Sequence, residues 1–186
     1  MSTRTVYFIV AVAIFIVALI AIAAYYYRRS KKSSQETWER LLKRLSVVDR
    51  SSIAEVALDI IDESGQQRKD EASAALEPSQ IWRLIGGLEG LEVLEANCAV
   101  LVDLAFYVQQ WYPEAVAVAE QLRLSAREIE WHVGRLRSAQ ETGKLESAFS
   151  MYAQPAVAAY YLMTRRVLAL YEEGNLAMLA DLRNAL

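Results

Sequence analysis

Residues Val6 to Tyr27 form 22 consecutive apolar residues without a charge, and the chain then reads Arg28, Arg29, Ser30, Lys31, Lys32. At about 1.5 Å of helical rise per residue the run spans roughly 33 Å, against a hydrocarbon thickness of about 30 Å for a bilayer. A single N-terminal transmembrane helix is the expectation. The competing reading is a secretory signal peptide, with Arg4 as its n-region and Ala21-Ile22-Ala23 as a small-x-small cleavage site. The run exceeds the usual ~7–15 residues of an h-region and a dense cationic cluster follows it, so a retained signal-anchor is preferred.

Only Arg4 precedes the run, whereas four basic residues follow within five positions. Positive charge is retained on the cytoplasmic side. The expected organisation is a short extracytoplasmic N-terminus (1–5), the span (6–27), a basic juxtamembrane segment (28–32) and a cytoplasmic domain (33–186). Tyr25, Tyr26 and Tyr27 suit the headgroup layer, where a ring keeps its hydroxyl wet and its body in the acyl region. Arg28, Arg29, Lys31 and Lys32 set orientation and also offer charge to anionic lipid. Ala11, Ala13, Ala18, Ala21, Ala23 and Ala24 include no pair four apart, so a small-x-x-x-small dimer face is missing from the run.

The remainder is too apolar for a disordered tail: hydrophobic residues make up 54% of the chain, and about half of the domain. Residues 33–186 hold 15 Lys or Arg against 23 Asp or Glu, a net of −8, which argues against nucleic acid as a partner. Cys98 is the single cysteine, so no intrachain disulfide forms.

Apolar residues recur at three- and four-residue steps almost throughout, and strand-like alternation is scarce. Ser33-x-x-Glu36 has capping-box spacing ahead of Trp38, Leu41, Leu42 and Leu45; Ser52-x-x-Glu55 repeats it ahead of Ile53, Val56, Ala57, Ile60 and Ile61, with Gly65 as a left-handed stop. Gln66 to Pro78 reads as a polar loop or marginal helix. From Pro78 to Tyr112 the spacing predicts one long helix. Gly86, Gly87 and Gly90 lie inside it, and two explanations are open: close approach of another helix at Gly86-x-x-x-Gly90, or a kink that divides the element.

Pro113 suits the first turn of the next helix, predicted to run to about Gln140 with Ala119, Leu122, Ala126, Ile129, Val133 and Leu136 as its seam. Leu124 and Trp131 form a second stripe opposite that seam. Such a stripe is more often core than docking surface. Leu145, Ala148, Phe149 and Tyr152 predict a short helix ending near Pro155. A largely buried helix follows through Val157, Tyr160, Tyr161, Thr164, Val167, Leu168 and Tyr171. Gly174 and Asn175 then separate it from a terminal helix with Leu176, Leu179 and Leu182.

Catalytic motifs are missing from the sequence. There is no glycine-rich nucleotide loop, Cys-x-x-Cys or Gly-x-Ser-x-Gly. His132 is the single histidine, and although Glu128 lies one turn before it, a di-iron bundle needs two Glu-x-x-His motifs. A Cys98–His132 nucleophile pair is formally available, but Cys98 lies in apolar sequence, where a thiol serves as packing. Glu89, Glu92 and Glu95, with Asp103 beyond, read as a solvated stripe before a cation site.

The sequence therefore predicts an all-α protein: one transmembrane helix and a cytoplasmic bundle of about five or six helices. No catalytic, cofactor or metal residues are assigned. The expected role is a non-enzymatic protein–protein interaction module, an adaptor, assembly factor or accessory subunit, whose partners are the lipid bilayer and another membrane or membrane-proximal protein. A second copy of the chain is also admissible. Trp82, Trp111, Tyr112, Leu124 and Trp131 are the candidate contact residues. The alternative is a tethered sensory domain holding a small apolar ligand near Tyr107, Tyr160, Tyr161 and Met163. A membrane-bound hydrolase ranks third, with no residue set behind it.

Overall fold

The computed structural model describes residues 7, 10, 12–22, 24, 37–68, 76–109 and 111–186. The chain divides into two units, Met1–Thr37 and Trp38–Leu186. Several sequence-predicted features lie outside the described residues: part of the apolar run (Val6, Phe8, Ile9, Ala11, Ala23), the tyrosines and cations from Tyr25 to Lys32, and the Ser33-x-x-Glu36 cap.

In the first unit, helix α1 covers residues 12–22, and Tyr7, Val10 and Ala24 are also helical; every one of these positions is exposed. Among the described residues no helix is long and apolar enough to cross a membrane.

The second unit is all-α. It contains α2 (Trp38–Lys43), α3 (Arg50–Ile60), α4 (Pro78–Ile85), α5 (Gly87–Val108), α6 (Ala115–Glu141), α7 (Leu145–Glu173) and α8 (Leu179–Ala185). Among the described residues there is no strand, only an isolated bridge between Ile61 and Gln67. Among the described residues this unit has seven helices where the spacing predicted five or six.

Helix α7 is the element on which the others pack: α3, α4, α5, α6 and α8 all lie against it. It buries Phe149, Ala153, Val157, Tyr160, Met163, Val167 and Tyr171 along one continuous helix. The predicted stop at Pro155 is therefore wrong. Proline removes one N–H bond and crowds the preceding turn, at about 3 kcal/mol in a helix interior. Here Phe149 and Ala153 before it, and Ala156 and Val157 after it, are all buried, so packing on both sides outweighs that cost.

The long helix predicted from Pro78 is broken at Gly86, which adopts left-handed φ 81°, ψ 30° and serves as both C-cap of α4 and N-cap of α5. The element is divided at Gly86, and the helix that comes close to Gly87 and Gly90 is the preceding one, α4. A Cβ on Gly90 would stand 1.7 Å from the Ile85 carbonyl oxygen, and one on Gly87 2.7 Å from the Trp82 ring. The end of α4 thus folds down onto the first turns of α5, leaving no room for side chains there.

Other boundaries move as well: α5 ends at Val108, α6 begins at Ala115, two residues after Pro113, and α8 begins at Leu179. Helix α3 is capped by Asp49, not Ser52: its carboxylate accepts from the Ser51 N–H at 3.0 Å and from the Ser51 and Ser52 hydroxyls at 2.7 and 2.8 Å. These bonds hold the Asp49 carboxyl below its ordinary acidity range. After α7 the left-handed residue is Asn175 (φ 46°), whereas Gly174 keeps a negative φ. Of the predicted α6 seam, Ala119, Leu122, Ile129, Val133 and Leu136 are fully buried and Ala126 is half-buried against the core.

Buried polar groups tie the layers together. Asn97 on α5 donates to the Ser46 carbonyl at 2.9 Å and to the Tyr160 hydroxyl at 3.3 Å, and accepts from the Ser46 N–H at 2.9 Å. One amide thereby fastens the α2–α3 connection and α7 to α5. Tyr171 donates to the Leu104 carbonyl at 3.0 Å.

The glycine geometry generates a paired expectation. Gly90→Ala destabilises the folded chain by about 1–3 kcal/mol through overpacking, although alanine is the better helix former. Gly134→Ala on α6, where a Cβ meets nothing within 4 Å, stabilises it by about 0.5–1 kcal/mol. Denaturant unfolding of both variants in mild detergent measures the two signs.

Candidate functional site

The sequence-predicted contact residues fall in three places on the second unit. Leu124 and Trp131 lie seven residues apart on α6, 62% and 56% exposed, on the face opposite the buried seam. The core reading of this stripe is corrected: α7 fills the central position, and both side chains are exposed on the outer face of α6. Trp131 does not stand alone. Its ring lies 4.9 Å from His132 and 5.8 Å from Tyr152, and the Arg135 guanidinium stands 5.7 Å from the Trp131 ring and 5.9 Å from that of Tyr152. This cation–aromatic arrangement leaves the indole held but uncovered. Met151, next to Tyr152, is 61% exposed.

Trp82 occupies a second place. It is 40% exposed, packs 4.4 Å from Phe149 and walls an open cleft of ≈ 620 Å³ with Glu77, Pro78, Leu145 and Glu146. The close fit over Gly87 fixes the indole against the cleft wall. Trp111 and Tyr112 form the third, at the turn between α5 and α6. Trp111 is 54% exposed and lies edge-on to Tyr107 at 5.2 Å; Tyr107 in turn lies 5.9 Å from Trp38, and Trp38 5.6 Å from Tyr171. Tyr112 is half-buried against the core.

Sequence reasoning missed Tyr152, Arg135 and Met151. Arg135 at one turn beyond Trp131 was a legible signal for a cation over the ring, but Tyr152 arrives from α7, and only the fold brings it there.

The carboxylate stripe on α5 is neither empty nor merely solvated. Arg137 of α6 donates to Glu92 at 2.9 Å and to Glu95 at 2.6 Å, and Arg44 pairs with Asp103 at 2.9 Å. Among the described residues no three His, Cys, Asp or Glu side chains group as metal ligands. Cys98 is buried and donates to the Leu94 carbonyl at 3.1 Å; burial, with the Glu95 charge second, pushes its thiol up to about 12. The thiolate needed for nucleophilic attack is therefore strongly disfavoured.

The residues named for a ligand cavity are dispersed. Tyr160 and Tyr161 border a recess of ≈ 200 Å³ with Arg50, Arg165 and Leu168. Met163 is fully buried in the core, and Tyr107 belongs to the aromatic series with Trp38 and Trp111. The larger cleft beside Trp82 contains none of them.

No family model, curated protein or solved structure matches this chain.

His132 supplies a pH expectation. Burial lowers its basicity from the ordinary 6.5, and the Glu128 charge offsets this only in part. The unfolded chain then takes up the proton more readily than the folded one. Stability contributed by neutral His132 is present above pH 6.5 and is lost as pH falls below it towards the lower folded value. His132→Gln flattens this part of the profile; urea midpoints between pH 7.5 and 5 measure the difference.

Proposed function

We propose that this chain is a membrane-anchored, non-enzymatic interaction module, held in the bilayer by residues 6–27 with its helical body on the cytoplasmic side. The observation that carries the anchor is α1: its residues are apolar around the whole helix, and every described one is exposed. A helix apolar on all sides needs an apolar surround, which a bilayer supplies to a 22-residue run. The four cations after the run support the orientation. Tethering raises the local concentration of a weak binding surface near other membrane components. The outer face of α6, with Leu124 and Trp131 beside Arg135, is the contact surface in this reading, since central exposed aromatics carry most interface energy.

A second reading, a tethered domain that binds a small ligand, draws on the ≈ 620 Å³ cleft beside Trp82 and Phe149, which falls in the size range of ligand sites.

The test is capture from mild detergent with Trp131→Glu and Leu124→Glu. Both positions are exposed, so the variants keep their unfolding midpoints within about 0.5 kcal/mol, yet lose a membrane protein that the unmodified chain retains. Unfolding of either variant, or capture equal to that of the unmodified chain, contradicts the assignment. Loss of capture with Trp82→Ala alone moves the site to the cleft.

A further inference from the structure

We propose that the outer strip of α6 binds the same strip of a second copy of this chain, antiparallel and about a two-fold axis beside Trp131, so that Glu128 of each copy meets Arg135 of the other. This inference rests on the contact surface assigned above and adds what occupies it.

The strip is continuous. Ala117, Gln121, Leu124, Glu128, Trp131, Arg135 and Ser138 follow one another on α6 at steps of four and three residues, and all seven are exposed. An alternating three- and four-residue step keeps one line of side chains facing a neighbouring helix over several turns, which is the spacing of paired helices. The seam that α6 turns into the core, Ala119, Leu122, Ala126, Ile129, Val133 and Leu136, has the same spacing on the opposite side. One helix thus carries two seams, of which one is buried in the body and the other is exposed.

Charge selects the occupant. Between Glu120 and Arg135, α6 holds three acidic residues (Glu120, Glu128, Glu130) and three basic ones (Arg123, Arg127, Arg135). A surface of no net sign offers little to a uniformly acidic or basic partner, whereas a contact between two identical patches requires such a balance. Order matters as much as balance. On the strip itself the charges are Glu128, one turn before Trp131, and Arg135, one turn after it. In a parallel pair Glu128 faces Glu128 and Arg135 faces Arg135, and both contacts repel. Turned antiparallel about Trp131, each glutamate faces an arginine, and the two-fold axis makes the contact twice. Of the remaining charges, Glu120 and Arg123 pair with each other at 2.9 Å, and Arg127 and Glu130 lie to one side of the strip, one of each sign.

The centre of the strip is apolar and its cation is already held in place. The Arg135 guanidinium stands 5.7 Å from the Trp131 ring and 5.9 Å from that of Tyr152, so its position is set before a partner arrives. Trp131 and Met151, both more than half exposed, supply apolar surface at the axis, and Leu124 lies two turns before it, opposite Ser138 of the second copy. A central indole bordered by charge pairs is the arrangement in which interface energy concentrates.

The test is sedimentation equilibrium of the full chain in a density-matched mild detergent, for the unmodified protein, Glu128→Arg, Arg135→Glu and the double reversal Glu128→Arg/Arg135→Glu. Both positions are exposed, so all variants fold, as their urea midpoints check. The unmodified chain is expected to sediment as a dimer. Each single reversal sets like charges against each other at two points and weakens the dimer by about tenfold or more, and the double reversal restores it. A chain that is monomeric at every loading concentration overturns the inference, as does a dimer that survives both single reversals or one that the double reversal fails to restore. A monomer that still captures another membrane protein through Trp131 refutes the second copy and leaves the contact surface of the proposed function standing. A dimer with this charge dependence, formed by a chain that alkaline carbonate releases from membranes, upholds the inference and removes the anchor.

Discussion

Apolar surface has to leave water, and the arrangement of this protein follows from where its own chain meets that requirement. In the body it is met around α7, whose buried face runs from Phe149 to Tyr171 without interruption. Five other helices take their positions by packing on it. Closure around one central helix has a corollary. Side chains left outside it, Leu124 and Trp131 on α6 and Trp111 at the α5–α6 turn, are more than half exposed.

Polar groups fix the register that burial alone leaves loose. Helix α5 is the hub. Asn97 satisfies both backbone groups of Ser46 and meets Tyr160, Tyr171 reaches the Leu104 carbonyl, and Glu92 and Glu95 receive Arg137. The buried members matter most, because an unpaired buried amide or hydroxyl costs about 1–3 kcal/mol. The exposed pairs contribute less, about 0–1 kcal/mol each, and weaken with salt. Gly86 completes the frame: by ending α4 and starting α5 in one left-handed residue, it turns Trp82 over Gly87 and onto Phe149.

Much of this was legible in the sequence where periodicity governs. The α6 seam, the all-helical class and the burial of the helix through Tyr160 and Tyr171 follow from three- and four-residue spacing. Boundaries were less legible, for identifiable reasons. Pro155 looks like a terminator until packing on both sides is known. The choice between Asp49 and Ser52 as cap depends on which side chain reaches the free N–H groups. The triple glycine announced a special backbone without saying which kind. At the candidate surface, Leu124 and Trp131 were placed on one stripe by spacing alone. Whether that stripe faced core or solvent depended on which helix took the centre, a question of topology.

The proposed role rests on an apolar leading segment, a basic border and a body with exposed aromatic side chains on the outside of a closed core. The most direct test of the central claim is alkaline carbonate extraction of membranes from cells producing the full chain, with the N-terminus of the recovered product sequenced. The account predicts that the product retains the apolar run and Arg28 to Lys32, stays with the membrane pellet after the alkaline wash and is released only by detergent. A freely soluble product that begins ahead of the basic cluster would contradict it.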